Sequence, residues 1–146
     1  MIKEAYVSFE VAKLLKEKGF NGLCGACFDP NDKSLKTIYY NTSGEVEPQD
    51  WNNLSRRESG KIGLATWYGY ISAPTHQMAM AWLREEKNIF IVIEPHAYDY
   101  VNEKNKSYVC SLWVGDKYYE YLESRDYPSY EKTVETALKY CLEHLI

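Results

Sequence analysis

The chain has 146 residues, of which 45% are hydrophobic and 26% are charged, and its formal net charge is -4. This length suits one domain with a buried core, and the composition excludes both a disordered chain and a membrane-spanning one. The balance of 17 basic against 21 acidic residues argues against broad binding to nucleic acid.

The N-terminal residues mix charges with apolar side chains, which is unlike a signal peptide, and no apolar run approaches the length that spans a bilayer. We therefore expect a cytoplasmic protein with no membrane association. Thiols stay reduced in that compartment, so we expect the cysteines to be free or metal-bound rather than paired in disulfides. The four are Cys24, Cys27, Cys110 and Cys141.

The first predicted helix follows Ser8, whose hydroxyl can cap the open amides, and it ends at Gly19. Two short strands are predicted next, in LCGACFD and LKTIYYN, with the turn-rich PNDKS between them. Residues 43–71 are dense in Gly, Pro, Asn and Ser, and the pattern there indicates at most one short helical turn near Trp51.

A second helix is predicted in THQMAMAWLREEK, with Ser72 and Pro74 marking its start and Asn88 as a left-handed stop. Residues 89–93 form a β-branched apolar run that predicts a strand, which we expect to be central in its sheet. A third helix is predicted at the C-terminus, with Ser129 as its N-cap.

The stretch SYVCSLWVGDKYYEYLE has the pattern of a β-hairpin with Gly115 and Asp116 in a two-residue turn. This register pairs Trp113 with Tyr118 on one side of the sheet. On the other side, which we expect to face the core, it pairs Leu112 with Tyr119 and Cys110 with Tyr121.

The order of these elements predicts an α+β fold in a single domain over residues 1–146. The last three strands follow one another through short connections, which favours antiparallel pairing. We expect a mainly antiparallel sheet of about 3–5 strands, with three helices packed largely on one face.

The Cys24-Gly-Ala-Cys27 pattern indicates either a redox pair or half of a zinc site. A redox pair needs its first cysteine at a helix N-terminus, but a helix-breaking run follows Cys27. Cys141 and His144 have similar spacing and can complete four zinc ligands, although Cys141 also continues the apolar face of the last helix. We therefore expect packing roles and no cofactor, and the zinc site stays an alternative.

The 14 tyrosines are a compositional excess. Alternation after Pro95 places His96, Tyr98 and Tyr100 on one side of an extended segment, and this is the expected exposed aromatic surface. Surface aromatic rings give a protein partner rigid contact area at small entropic cost, whereas half-buried strands also favour tyrosine for packing alone. Further candidates for a protein interface lie at Trp67, Tyr68 and Tyr70.

Patterns of serine hydrolases, phosphate-binding loops, kinases and zinc proteases do not occur in the sequence, so no catalytic residues are predicted. An enzyme is less expected than a binding protein, although a triad assembled in space stays open. FEVAKLLKEKGF is typical of the first helix of a helix-turn-helix, but a loop and a strand are predicted where its recognition helix belongs. Nucleic-acid binding is therefore the alternative to protein binding.

Three blocks, SFEVAKLLKEKGF, ISAPTHQMAMAWLREEKNIFIVIEP and YEKTVETALKYCLEHLI, resemble segments of small uncharacterised proteins encoded by gut Bacteroidales phages, prophages and related mobile elements. The resemblance implies a bacterial cytoplasmic setting and a mobile-element origin, and it brings no activity or site residues. Together these inferences predict a small, non-enzymatic accessory protein that binds an unknown protein partner. A homodimer stays open.

Overall fold

The computed structural model describes residues 2–37, 47–95, 107–123 and 129–146, and of Ala65 and residues 120–123 it describes the backbone alone. The chain divides into two compact units, Met1–Thr75 and His76–Ile146. Helices and antiparallel sheets occur in both, which confirms the α+β class. The single domain over residues 1–146 stays a prediction.

The first unit begins with helix α1 (Phe9–Glu17), which starts where the sequence predicts. The Ser8 hydroxyl accepts a hydrogen bond from the Val11 N–H at 3.2 Å, so it caps the helix. Gly19, at a φ of +89°, turns the chain away after the last turn, as the prediction required. The buried side of α1 carries Val11, Ala12 and Leu15 and packs beside the sheet of this unit.

That sheet has the order β2-β1-β3, from β1 (Ala26–Phe28), β2 (Leu35–Thr37) and β3 (Ile71–Ser72), all antiparallel. The predicted strand pair β1 and β2 is confirmed. Ser72 was expected at the start of a helix, but it pairs with Cys27 in the sheet and the helix begins four residues later. Pro74 and the turn to the helix therefore belong to a connection, and the prediction that Ser72 and Pro74 mark the start of this helix is wrong.

The segment between β2 and β3 contains a helix that the prediction missed, α2 (Arg56–Lys61), followed by a short 3-10 helix (Ala65–Trp67). Ser55 and Glu58 form a reciprocal capping box at the start of α2, because each side chain accepts the backbone N–H of the other. The described chain thus has four α-helices where three were predicted. Trp51 itself lies in a turn before α2.

A turn at residues 51–53 is tied to the rest of the first unit by hydrogen bonds. The Trp51 indole N–H donates to the Cys24 carbonyl at 3.0 Å. The Asn52 amide donates to the Phe20 carbonyl at 3.0 Å, and its oxygen accepts from the Ser72 N–H at 3.0 Å. The Asn52 side chain thereby satisfies one backbone group of the sheet and one of the chain after α1. The short strands of this sheet do not provide partners for these two groups.

The second unit contains helix α3 (His76–Lys87), the strands β4 (Ile89–Pro95), β5 (Tyr108–Val114) and β6 (Lys117–Glu123), and helix α4 (Tyr130–His144). Asn88, at a φ of +57°, ends α3 as predicted. The Ser129 hydroxyl caps α4 by accepting the Lys132 N–H at 3.1 Å, which confirms that prediction as well. Helix α4 packs against β4, β5 and α3.

The sheet of the second unit is antiparallel and has the order β4-β5-β6. The strand of residues 89–93 was expected to be central, and this prediction is wrong. Within the part of the chain that the structure describes, β4 pairs with β5 alone. Composition reports how apolar a strand is, whereas strand order depends on pairings that are distant in sequence.

The β5–β6 hairpin turns at Gly115, whose φ of +64° fits a two-residue turn, and Trp113 pairs with Tyr118 as predicted. Beyond that pair a β-bulge leaves Tyr119 unpaired, so Leu112 pairs with Glu120 and Cys110 with Leu122. The predicted pairs with Tyr119 and Tyr121 are therefore wrong by one residue. Leu112 and Cys110 are 0% and 1% exposed, as expected of the core side.

We predict that Asn52→Ala lowers the free energy of unfolding by about 1–3 kcal/mol, because it removes the hydrogen bonds that the Asn52 side chain makes with the Phe20 carbonyl and the Ser72 N–H. Urea denaturation followed by tryptophan fluorescence measures the change. Asn53→Ala is the matched control, since the Asn53 side chain is exposed. Among the described residues, its side-chain hydrogen bond is to the nearby Asp50 carboxylate. Equal effects of the two substitutions would contradict the role given to Asn52.

Candidate functional site

Cys24 and Cys27 are both completely buried. Cys27 lies in β1, and Cys24 forms an antiparallel bridge with Gln49, in which the Cys24 N–H donates to the Gln49 carbonyl at 2.8 Å. After β1 the chain turns through residues 29–34 into β2, so no helix begins at either cysteine. The arrangement lacks the helix N-terminus that lowers a thiol pKa in a redox pair.

Burial raises the pKa of the Cys24 and Cys27 thiols to about 12, and the nearby Asp50 carboxylate adds to the rise at Cys24. Burial also raises the pKa of Cys110 and Cys141 to about 12. Thiolates are the nucleophiles and metal ligands of cysteine chemistry, and these thiols stay protonated at neutral pH. The geometry of all four therefore fits side chains that fill the core.

The remaining candidate zinc ligands, Cys141 and His144, lie one turn apart on α4 but in different surroundings. Cys141 is completely buried, whereas the His144 side chain is 56% exposed and contacts the Tyr140 ring at a centroid distance of 4.8 Å. Among the described residues, no three His, Cys, Asp or Glu side chains are grouped closely enough to hold a metal ion.

His76, in the first turn of α3, forms a buried polar contact with α4. Its Nε2 lies 3.0 Å from Oε1 of Glu135, and the histidine is 5% exposed. Such a pair resembles part of a catalytic triad, but substrate has little access to a ring this deeply buried. The contact instead joins α3 to α4.

An open depression of about 430 Å³ lies beside α2 in the first unit. Its lining is mixed, with Leu23, Gln49, Asp50, Asn53, Leu54, Glu58, Lys61 and Ile62. Asp50 Oδ2 accepts from the Asn53 amide, and Glu58 accepts from the Ser55 N–H. Asp50 Oδ1 is buried and has no hydrogen-bond partner among the described residues. The capping bonds with Ser55 also lower the pKa of Glu58, which makes it a poor general acid.

The aromatic candidates of the first unit, Trp67, Tyr68 and Tyr70, differ in exposure. The Trp67 ring stacks on Tyr70 at 5.5 Å and lies 6.0 Å from the Trp51 ring. The Tyr70 hydroxyl donates to Asp29 Oδ2 at 2.9 Å, and burial with this bond raises the pKa of Tyr70 to about 12. Tyr68 is 53% exposed, so it is the ring of the three most available to a partner.

The other predicted surface, His96, Tyr98 and Tyr100, lies outside the described residues. Its exposure stays a prediction.

The described residues contain an exposed aromatic group that the sequence did not single out as an interface. This hairpin patch consists of Trp113, Tyr118 and Tyr119, which are 36%, 52% and 51% exposed. Trp113 and Tyr118 meet edge to face at 5.5 Å, on the side of the sheet opposite Leu112. For Trp113 and Tyr118 the signal was present, since the predicted register paired them away from the core. The same register placed Tyr119 on the core side, whereas its side chain is 51% exposed.

Among the described residues, no helix is long and apolar enough to cross a bilayer. The chain matches no protein-family model, no curated protein and no solved structure. Its function therefore has to be inferred from its own residues.

We predict that Ellman's reagent at pH 8 labels none of the four cysteines in the folded protein within the time that labels all of them in urea. The folded thiols are buried and protonated at this pH, since their pKa values are raised to about 12. Absorbance at 412 nm follows the reaction, with Tyr68→Cys as an exposed-thiol control. Rapid labelling of Cys24 or Cys27 in the folded state would restore the reactive-cysteine alternative.

Proposed function

We propose that this protein is a small non-enzymatic accessory protein that binds another protein, in the cytoplasm of a bacterium carrying a phage or related mobile element. The observation that supports binding most directly is the hairpin patch. Three aromatic rings project from adjacent positions of one hairpin, and two of them are more than half exposed.

The chemistry of the hairpin patch suits a protein interface. Trp and Tyr dominate binding hot spots because each ring buries a large area while losing few rotatable bonds. The edge-to-face contact between Trp113 and Tyr118 already orders both rings before a partner arrives. Trp113 lies on β5, the central strand, so the sheet fixes its position from both sides.

Protein binding is favoured over nucleic-acid binding by charge and by topology. The net charge is -4, and α1 is followed by strand β1 rather than by a second helix that can enter a groove. An enzymatic role has less support, because the cysteine thiols are protonated and His76 is buried.

The mobile-element origin rests on the three sequence blocks that resemble phage and prophage proteins. The blocks correspond to α1, to the run from β3 through α3 into β4, and to α4. They therefore cover elements that build the two cores rather than the hairpin patch.

The proposal predicts that Trp113→Ala with Tyr118→Ala removes capture of a partner from a Bacteroidales lysate, while leaving the thermal unfolding curve of the domain nearly unchanged. Tyr68→Ala is the matched control, because Tyr68 and Tyr118 are 53% and 52% exposed but lie on different units. Quantitative mass spectrometry of proteins retained by each variant measures the loss.

A photo-crosslinking amino acid at position 118, compared with one at position 68, identifies which unit the partner contacts. Cross-links from position 68 alone would move the interface to the first unit. Equal capture by the wild type and the double variant, with no cross-link from position 118, would contradict the role of the hairpin patch.

A further inference from the structure

Strand β4 has the composition of a central strand but the position of an edge strand. Residues 89–93 read IFIVI, an uncharged run without the lysine, proline or bulge that usually protects an edge from pairing with another chain. Within the described residues, its one paired neighbour is β5. Glu94 and Pro95 follow only at the end of the strand.

On the side away from β5, the backbone groups of β4 have no hydrogen-bond partner among the residues that the structure describes. The Gly115 N–H donates to the Asn88 carbonyl at 2.8 Å, which fixes the alternation of the ladder. Phe90 and Val92 therefore direct their peptide groups toward β5. Ile91 and Ile93 direct theirs away from it, toward the open edge.

The exposed fractions of the β4 side chains also indicate that this edge of the sheet is accessible. On the helix-facing side, Leu112 and Cys110 are almost fully buried, but their β4 partners Ile91 and Ile93 remain partly exposed. Val92, on the outer side, is 41% exposed. Ile89 is the exception at 1%, so the accessible edge begins after it.

We infer that β4 pairs antiparallel with β4 of a second copy of this chain, about a two-fold axis at Val92. In this register Ile91 exchanges both backbone hydrogen bonds with Ile93 of the second copy, and Ile93 with its Ile91. The covered Ile89 lies opposite Pro95, which has no N–H to donate. Ile89, which is buried, and Pro95, which can accept but not donate a ladder hydrogen bond, therefore lie opposite each other at the ends of the pairing.

A second copy fits this edge better than an unrelated strand for two reasons. The centre is uncharged and self-complementary, with Val92 against itself, and Glu94, the one charged residue of β4, lies opposite Phe90 of the second copy, so pairing places no like charges opposite each other. Pairing also joins two three-stranded sheets into one of six strands, in which the apolar residues of β4 lie in an interior strand.

This assembly is separate from the proposed function, because it uses the β4 edge rather than the hairpin patch. A substitution in the β4 edge changes no residue of the hairpin patch, and a substitution in the hairpin patch changes no residue of the β4 edge. The tests of the two proposals can therefore fail independently.

Charge placed at Val92 tests the inference on the full chain. In the proposed register two copies of residue 92 lie directly opposite, so Val92→Lys and Val92→Glu each raise the dimer dissociation constant by about tenfold or more through like-charge repulsion. Mixing the two variants in equal amounts restores a dimer, because Lys then lies opposite Glu. Val114→Lys is the matched control, because the exposed fraction of Val114 is 38% and that of Val92 is 41%. Val114 lies on β5, which is paired with a strand on both sides.

Sedimentation equilibrium across a range of concentrations gives the dissociation constants, and amide hydrogen exchange gives the register. The expected result is a wild-type dimer in which the Ile91 and Ile93 amides gain protection as concentration rises, and a dissociation constant raised about tenfold or more for each single variant at Val92. A wild-type monomer at every concentration would overturn the inference and leave the edge to a strand of another protein. Equal weakening by Val114→Lys, or a mixture of variants that stays monomeric, would also overturn it.

Discussion

The second unit depends on one backbone hydrogen bond, from the Gly115 N–H to the Asn88 carbonyl at 2.8 Å. Both residues have positive φ, and a Cβ added at Gly115 would lie 3.0 Å from Asn88 Nδ2. This bond joins the end of α3 to the hairpin turn, so it sets the alternation of β4 and β5 together. That alternation determines the core position of Leu112, the outward position of Trp113 and the direction of the Ile91 peptide groups, which point away from β5.

In the first unit, the cysteines of the Cys-x-x-Cys pattern have a structural role rather than a chemical one. Cys24 and Cys27 fill the interior beside a short sheet, and burial keeps their thiols protonated. Three strands of two or three residues leave many backbone groups without ladder partners, and Asn52 with Trp51 satisfies several of them. A Cys-x-x-Cys pattern is therefore compatible with simple packing when no helix follows it.

The two surfaces proposed to engage partners both lie on the second unit and are of two kinds. The hairpin patch offers rigid aromatic area, which suits side-chain recognition by a different protein. The β4 edge offers backbone groups and an uncharged apolar strand, which suits sheet extension by an identical chain. Strand β5 carries Trp113 of the hairpin patch and pairs with β4 on its other side. This one central strand therefore fixes the positions of the hairpin patch and the β4 edge relative to each other.

Local interactions are the part of this protein that the sequence by itself determined. The caps at Ser8 and Ser129, the stop at Asn88 and the turn at Gly115 each depend on a few neighbouring residues, and all were predicted. The capping box of Ser55 and Glu58 was equally readable, although the surrounding Gly and Asn residues obscured it. Tertiary structure alone decided that β4 lies at an edge, that a bulge at Tyr119 shifts the hairpin register, and that Trp67 stacks while Tyr68 is exposed. Those outcomes depend on contacts between residues distant in sequence, and neither periodicity nor composition records which distant residues meet.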